Sequence, residues 1–142
     1  MGVKPLDLLR NWEEQKRYSR GGIFAAKNND LKGSFERHKR DGKHGHHFVA
    51  VIDVKSSIYF VIASTSKNTD KTCGLKVDSV KKIIDEDDSK FTYFLTRTRI
   101  ALVKTQLIKH DDIERTTLNP LEVNQLYDLH LSCCKIFCKC FK

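Results

Sequence analysis

The sequence predicts an α+β fold: a twisted β-core of five or six short strands, with one helix before it and one after it. Three observations predict this. Residues 48–54 and 58–63 are short apolar runs rich in β-branched and aromatic side chains, separated by Lys55-Ser56-Ser57, which is the pattern of a hairpin with a buried face. From Asn119 onward the apolar residues change to three- and four-residue steps, the period of one helix face. Before the core, Leu8, Leu9 and Trp12 recur at near-helical spacing behind Pro5, which suits a first helical turn. With 142 residues, of which 39% are hydrophobic, the chain suffices for one domain and one core.

The elements follow in order within a single domain, 1–142. The N-terminal helix occupies 1–20 and ends against Gly21-Gly22. Residues 27–47 read as a long basic loop, because only Leu31 and Phe35 offer a core anchor there. The β-core runs over 48–108. After the hairpin comes the polar stretch 64–71, then a brief strand at Gly74-Leu75-Lys76-Val77. Residues 80–84 fit a helical turn or another edge. Asp85-Glu86-Asp87-Asp88 reads as a solvated turn. Further strands fall at 91–95 and 99–104, interrupted at Thr96-Arg97-Thr98, and Leu107-Ile108 ends the last. The C-terminal helix spans 119–141, with Asn119 as N-cap, Pro120 in the first turn and Glu122 closing a capping box. Its apolar stripe is Val123, Leu126, Tyr127, His130, Cys134, Phe137, Cys138 and Phe141.

Net charge is +8, distributed as +5 over residues 1–47, +3 over 48–104 and zero over 105–142. A basic front and middle suits a polyanionic partner, nucleic acid first. No apolar run reaches the roughly 18 residues of a membrane span, and the first residues lack the apolar core of a secretory signal. Five cysteines, with Cys133, Cys134, Cys138 and Cys140 crowded together and Cys73 apart, do not form a disulfide framework pattern. A reducing cytoplasm is the expectation. The terminal thiols could take zinc or palmitate, but no CxxC pair exists, and Cys134 and Cys138 fall on the apolar stripe as small hydrophobes.

Three clusters carry candidate chemistry. Ser64-Thr65-Ser66-Lys67, with Lys71 close behind, leaves a buried strand; hydroxyls there donate to phosphate oxygens and an ammonium offsets their charge. Such residues are also what surface turns contain. His38, His44, His46 and His47 form a second cluster, and His47 abuts the first core strand, where its ring should be best positioned for proton transfer. Their spacing does not match a common zinc motif, so neither metal nor cofactor is expected. Third, strand alternation sends Arg97 and Arg99 to one face, away from the apolar core, as a clamp for phosphate or as ordinary solubilising residues.

The order of these parts resembles the PemK/MazF superfamily of toxin endoribonucleases, and most closely its ToxN branch. The likeness rests on Phe48-Val49-Ala50-Val51-Ile52 running through to Ile62-Ala63-Ser64-Thr65-Ser66-Lys67. It continues in Phe94-Leu95-Thr96-Arg97-Thr98-Arg99 and in the helix after Asn119, covering roughly 43–131. His46-His47 stands where the family usually has Arg-Pro, no aspartate lies between Thr96 and Arg99, and the first helix and cysteine-rich tail are extra. The resemblance implies an SH3-like β-barrel that cuts single-stranded RNA without metal, leaving a 2′,3′-cyclic phosphate and a 5′-OH. It implies that Thr65 and Ser66 orient the scissile phosphate, Lys67 and Arg97 or Arg99 stabilise its charge, and His47 transfers the proton. Ser64, His46, Lys71, Lys43 and Arg40 would line the RNA path. An RNA or protein antitoxin is the implied partner, with homo-oligomer or toxin–antitoxin assembly both open. The competing readings are a non-catalytic nucleic-acid-binding module on the same barrel and an interaction protein acting through its last helix.

Overall fold

A computed structural model of the chain describes residues 5–31, 45–66 and 74–140, with side chains over 11–31, 45–66 and 74–132. Helix α1 (Pro5–Arg17) leads into strand β1 (Ile23–Lys27), then β2 (His46–Lys55), β3 (Ile58–Thr65), β4 (Gly74–Asp78), β5 (Phe91–Val103) and helix α2 (Pro120–Cys140). The five strands form one sheet in the order β1-β2-β3-β5-β4, with every neighbouring pair antiparallel. Among the described residues no helix is long and apolar enough to cross a membrane.

The two expected helices and the β2–β3 hairpin are present. The hairpin turn consists of Ser56 and Ser57, with φ of 48° and 67°. Positive φ at both central residues matches the right-handed twist of the flanking strands, although serine bears a steric cost there.

Strand β1 was not expected. Ile23-Phe24-Ala25-Ala26 is fully buried, and it follows directly on Gly21-Gly22. Gly21 has φ of 101°, and a Cβ there would meet Val123 Cγ2 at 2.7 Å; one on Gly22 would overlap the Arg17 carbonyl at 1.6 Å. Only glycines let the chain turn this sharply out of α1 and into the sheet. The expected basic loop is correspondingly shorter. Lys27 ends β1, Asn28–Asp30 form a 3-10 turn, and His46 and His47 belong to β2.

Strand β5 is continuous, not two strands. Its pairing with β3 slips, however, between Ile62↔Arg99 and Ser64↔Phe94, so residues 95–98 oppose a single residue of β3. The polar interruption seen in sequence is this irregularity. The Thr96 carbonyl there accepts a 2.6 Å hydrogen bond from Nδ1 of His130, a helix residue only 3% exposed.

Alternating residues bury both faces of the sheet. Ile23, Ala50, Ile52, Ile62 and Phe94 pack with Val123 and Leu126 of α2. Phe24, Val49, Val51, Val61 and Leu102 pack on the other side with Leu31 and Leu107, and Tyr18 lies against them. The ladder is open, leaving β1 and β4 as edges. Residues beyond β5 partly cover these edges: Ala25↔Ile108 and Gly22↔Thr117 bridge to β1, and Lys81↔Ile113 bridges to the chain after β4. Ile108 thus serves β1 and does not prolong β5.

Asn119 and Glu122 make the reciprocal capping pair, Glu122 N–H to Asn119 Oδ1 at 2.8 Å and Asn119 N–H to Glu122 Oε1 at 3.0 Å. Arg115 grips the same carboxylate with both terminal nitrogens, one at 3.1 Å, and also donates to the Asp78 carbonyl at 3.1 Å. One guanidinium thereby ties the end of β4 to the first turn of α2.

Replacing Ser56-Ser57 with Asn-Gly should raise stability by about 1 kcal/mol, read from denaturant midpoints, because these residues tolerate positive φ. Burial alone would raise the Glu122 pKa and is the largest single influence. The bonds from Arg115 and the Asn119 N–H, with the Arg115 charge, outweigh it and hold the carboxyl below its ordinary value of 4.5. The stabilisation is therefore complete above that value and is lost as pH falls through the lowered one. Glu122→Gln should cost about 1.5–3 kcal/mol at pH 7 and flatten the acid limb of the stability profile measured by thermal unfolding.

Candidate functional site

A tight turn joining two antiparallel strands brings the first residues of one beside the last residues of the other. Accordingly His46, His47 and Phe48 at the start of β2 and Ser64, Thr65 and Ser66 at the end of β3 line one cleft of about 660 Å³. The polar loop and the histidine cluster, separate in sequence, become one site.

The three hydroxyls differ in role. Ser64 is 2% exposed and its Oγ donates to the Phe48 carbonyl at 2.8 Å, which fastens the open end of the hairpin. Thr65 is half-buried and Ser66 is exposed, so these present the cleft's hydroxyl surface.

The His47 ring is positioned by Asn28. Its Nδ1 lies 2.5 Å from Asn28 Oδ1. An amide oxygen accepts, so Nδ1 carries a hydrogen. Asn28 was not singled out in the sequence, where it sits 19 residues from His47. It reaches the ring because β1 pairs Ala26 with His47 and Lys27 with His46, placing the 3-10 turn after β1 beside the start of β2. No local motif announces this; only the strand register does.

His46 lies in an aromatic group, 4.3 Å from the His110 ring and 6.1 Å from Phe48, centroid to centroid. His110 Nδ1 accepts the Asp112 N–H at 3.1 Å, and the Asp112 carboxylate stands 3.7 Å from it. His110 was also not anticipated, since it belongs to the segment that crosses to the sheet's β1 edge.

The facing wall is made by Lys81, Asp87, Asp88 and Phe91, with Asp112. The acidic run expected to be a solvated turn therefore borders the cleft. Asp88 accepts the N–H groups of Asp85 at 3.0 Å and Ile84 at 2.9 Å, which hold its carboxyl below the usual range. Lys81 is the cation lining this cleft among the described residues, and Lys76 Nζ sits 4.1 Å from the Phe91 ring.

Arg97 and Arg99 do not line the cleft. Both are exposed on β5, and Arg99 packs over Phe60 at 4.8 Å. The expected shared face away from the core is not found: both sheet faces are packed, and the slip breaks the alternation, so that Arg99 stands opposite Ile62 on the same face as Phe94. Lys67, Lys71, Lys43, Arg40, His38 and His44 lie outside the described residues, as do Cys73 and the side chains of the terminal cysteines. Among the described residues no group of three or more His, Cys, Asp or Glu could hold a metal ion.

Ser64→Ala should cost about 1–2 kcal/mol, because it leaves a half-buried carbonyl without its donor, whereas Ser66→Ala should stay within about 0.5 kcal/mol. Chemical denaturation of the two variants side by side checks this. No protein-family model and no curated protein matches the chain.

Proposed function

We propose that the cleft cleaves single-stranded RNA, and that the chain is a toxin endoribonuclease of the PemK/MazF type, nearest to ToxN, acting in the cytoplasm and neutralised by an antitoxin. The observation that carries this reading is the convergence of His46 and His47 with Thr65 and Ser66 in one cleft that also holds Lys81. The SH3-like barrel belongs to this proposal: the ladder is open, and the bridges of Ile108 and Thr117 to β1 are the contacts in its favour.

Phosphodiester transesterification needs a base for the 2′-OH, donors for the phosphate oxygens and an acid for the leaving oxygen. His47, held through Nδ1 by Asn28, takes the 2′-OH proton on Nε2. The 2′-oxygen attacks the adjacent phosphorus, and the bond to the 5′-oxygen breaks. That oxygen takes a proton from the His46 imidazolium, giving a 2′,3′-cyclic phosphate and a 5′-OH. Thr65 and Ser66 donate to the non-bridging oxygens. Lys81 offsets the developing charge, as does Lys67, which follows Ser66 directly in the chain. Arg97 and Arg99 stand outside the cleft and are given no part in this step. RNA is required because the nucleophile is its own 2′-OH.

His47→Ala should lower kcat/KM on a single-stranded RNA by about 10²–10⁴-fold, the usual worth of a positioned base. Asn28→Ala should cost about 10-fold through loss of ring orientation. Thr65→Ala should relieve growth inhibition on induction in bacteria while leaving the protein folded. Product ends are mapped with chemistry specific for cyclic phosphate, using a substrate with one 2′-deoxy position as the uncut control. Full cleavage by His47→Ala would overturn the assignment. Salt-dependent binding without any product from the unaltered chain would establish the non-catalytic module instead.

A further inference from the structure

A second concavity, of about 470 Å³, opens between the end of α1 and the start of α2. Lys16, Arg20 and Arg115 line it, over a floor that includes Leu118, Pro120 and Val123. Among the described residues its lining differs from the cleft's in charge. Three aspartates border the cleft, whereas no carboxylate lines this pocket. Glu122 offsets Arg115, so the uncompensated charge comes from Lys16 and Arg20, neither of which has an ion-pair partner among the described residues. The start of α2 contributes little attraction of its own, because Asn119 already accepts the Glu122 N–H through its side chain and the Val123 N–H through its carbonyl.

Each cation stands over an aromatic ring. The Lys16 ammonium lies 5.3 Å from the centre of Trp12, which is 59% exposed, and the Arg20 guanidinium lies 4.2 Å from the centre of Tyr127. Two cations, one beside the exposed Trp12 ring, above an apolar floor suit one nucleotide of a single strand: charge for the phosphate and a flat or apolar surface for base and ribose. An acidic peptide would use the cations but not the rings. The volume suits one such unit.

We propose that this pocket binds a nucleotide unit of single-stranded RNA, its phosphate on Lys16 and Arg20 and its base against Trp12 or the Pro120–Val123 surface. The site is separate from the cleft and does not depend on cleavage there.

Trp12 is the chain's single tryptophan and lies 5.3 Å from the ammonium of Lys16, a lining residue, so its emission reports on this site. The full chain is titrated with a fully 2′-O-methylated 12-nucleotide RNA, which has no nucleophile and cannot be cut, at several salt concentrations. Saturable quenching of Trp12 is expected. The double variant Lys16→Gln/Arg20→Gln should weaken binding by about tenfold and reduce the magnitude of the salt slope by about 1.4, or about 0.7 per cation. Lys55→Gln, which lines neither the pocket nor the cleft, should leave both unchanged, which separates this site from the general positive charge of the surface.

Unchanged affinity and slope in the double variant would overturn the proposal. Should that variant melt early, Lys16→Gln alone decides: a slope change of about 0.7 supports the site and no change removes it. Inorganic phosphate or hexaglutamate quenching Trp12 as tightly as the RNA would assign the pocket to a free anion or an acidic peptide, and would overturn the RNA assignment.

Discussion

The antiparallel pairing of β2 with β3 across the two-residue Ser56-Ser57 turn is the constraint from which the candidate site follows. A turn this short allows little choice of register, and both strands carry buried side chains on each face, so a slip of one residue would exchange the two cores. With the register set, the histidines that begin β2 must lie beside the hydroxyls that end β3. The Ser64 hydroxyl, bonded to the Phe48 carbonyl, closes that end of the hairpin from within. Chemistry and architecture are therefore joined at one place: of three consecutive hydroxyl residues, Ser64 holds the strands together while Thr65 and Ser66 present their hydroxyls to the cleft.

The segment between β5 and α2 is the second organising feature. It bridges to β1 at Ala25 and Gly22, bridges to Lys81 on the far side, and supplies His110 and Asp112 near the cleft and Arg115 to α2. An irregular stretch with many backbone partners can satisfy its own polar groups while covering two exposed sheet edges, which strands otherwise leave open to association. Its cost is a sheet whose ladder stays open, and its benefit is that residues far apart in the chain converge around a cleft.

Among the described residues, the lysines and arginines are not gathered at the cleft. Asp87, Asp88 and Asp112 border the cleft, and Asp88 is engaged by backbone N–H groups and so serves the turn it lies in. Lys16 and Arg20 gather instead around the pocket at the α1–α2 junction. Arg97 and Arg99 form a third exposed group on β5.

Local sequence was enough for elements whose signal lies within a few residues. Pro5, Asn119, Pro120 and Glu122 mark helices because caps act over one turn, and the apolar runs on either side of Lys55-Ser56-Ser57 mark a hairpin because strand burial has a period of two. Strand β1 escaped notice because Ile23-Phe24-Ala25-Ala26 is too short to show alternation and is buried on both faces. Thr96-Arg97-Thr98 read as a gap because the slip in pairing that keeps β5 whole is a property of two strands together. For the same reason the sequence could nominate His47 and Ser64-Thr65-Ser66 but not Asn28, His110 or Lys81, and it could not exclude Arg97. Side-chain types and their spacing along the chain are local quantities. Which of them share a cavity depends on strand register and on where a connecting segment crosses the sheet, and those are decided only when the whole core packs.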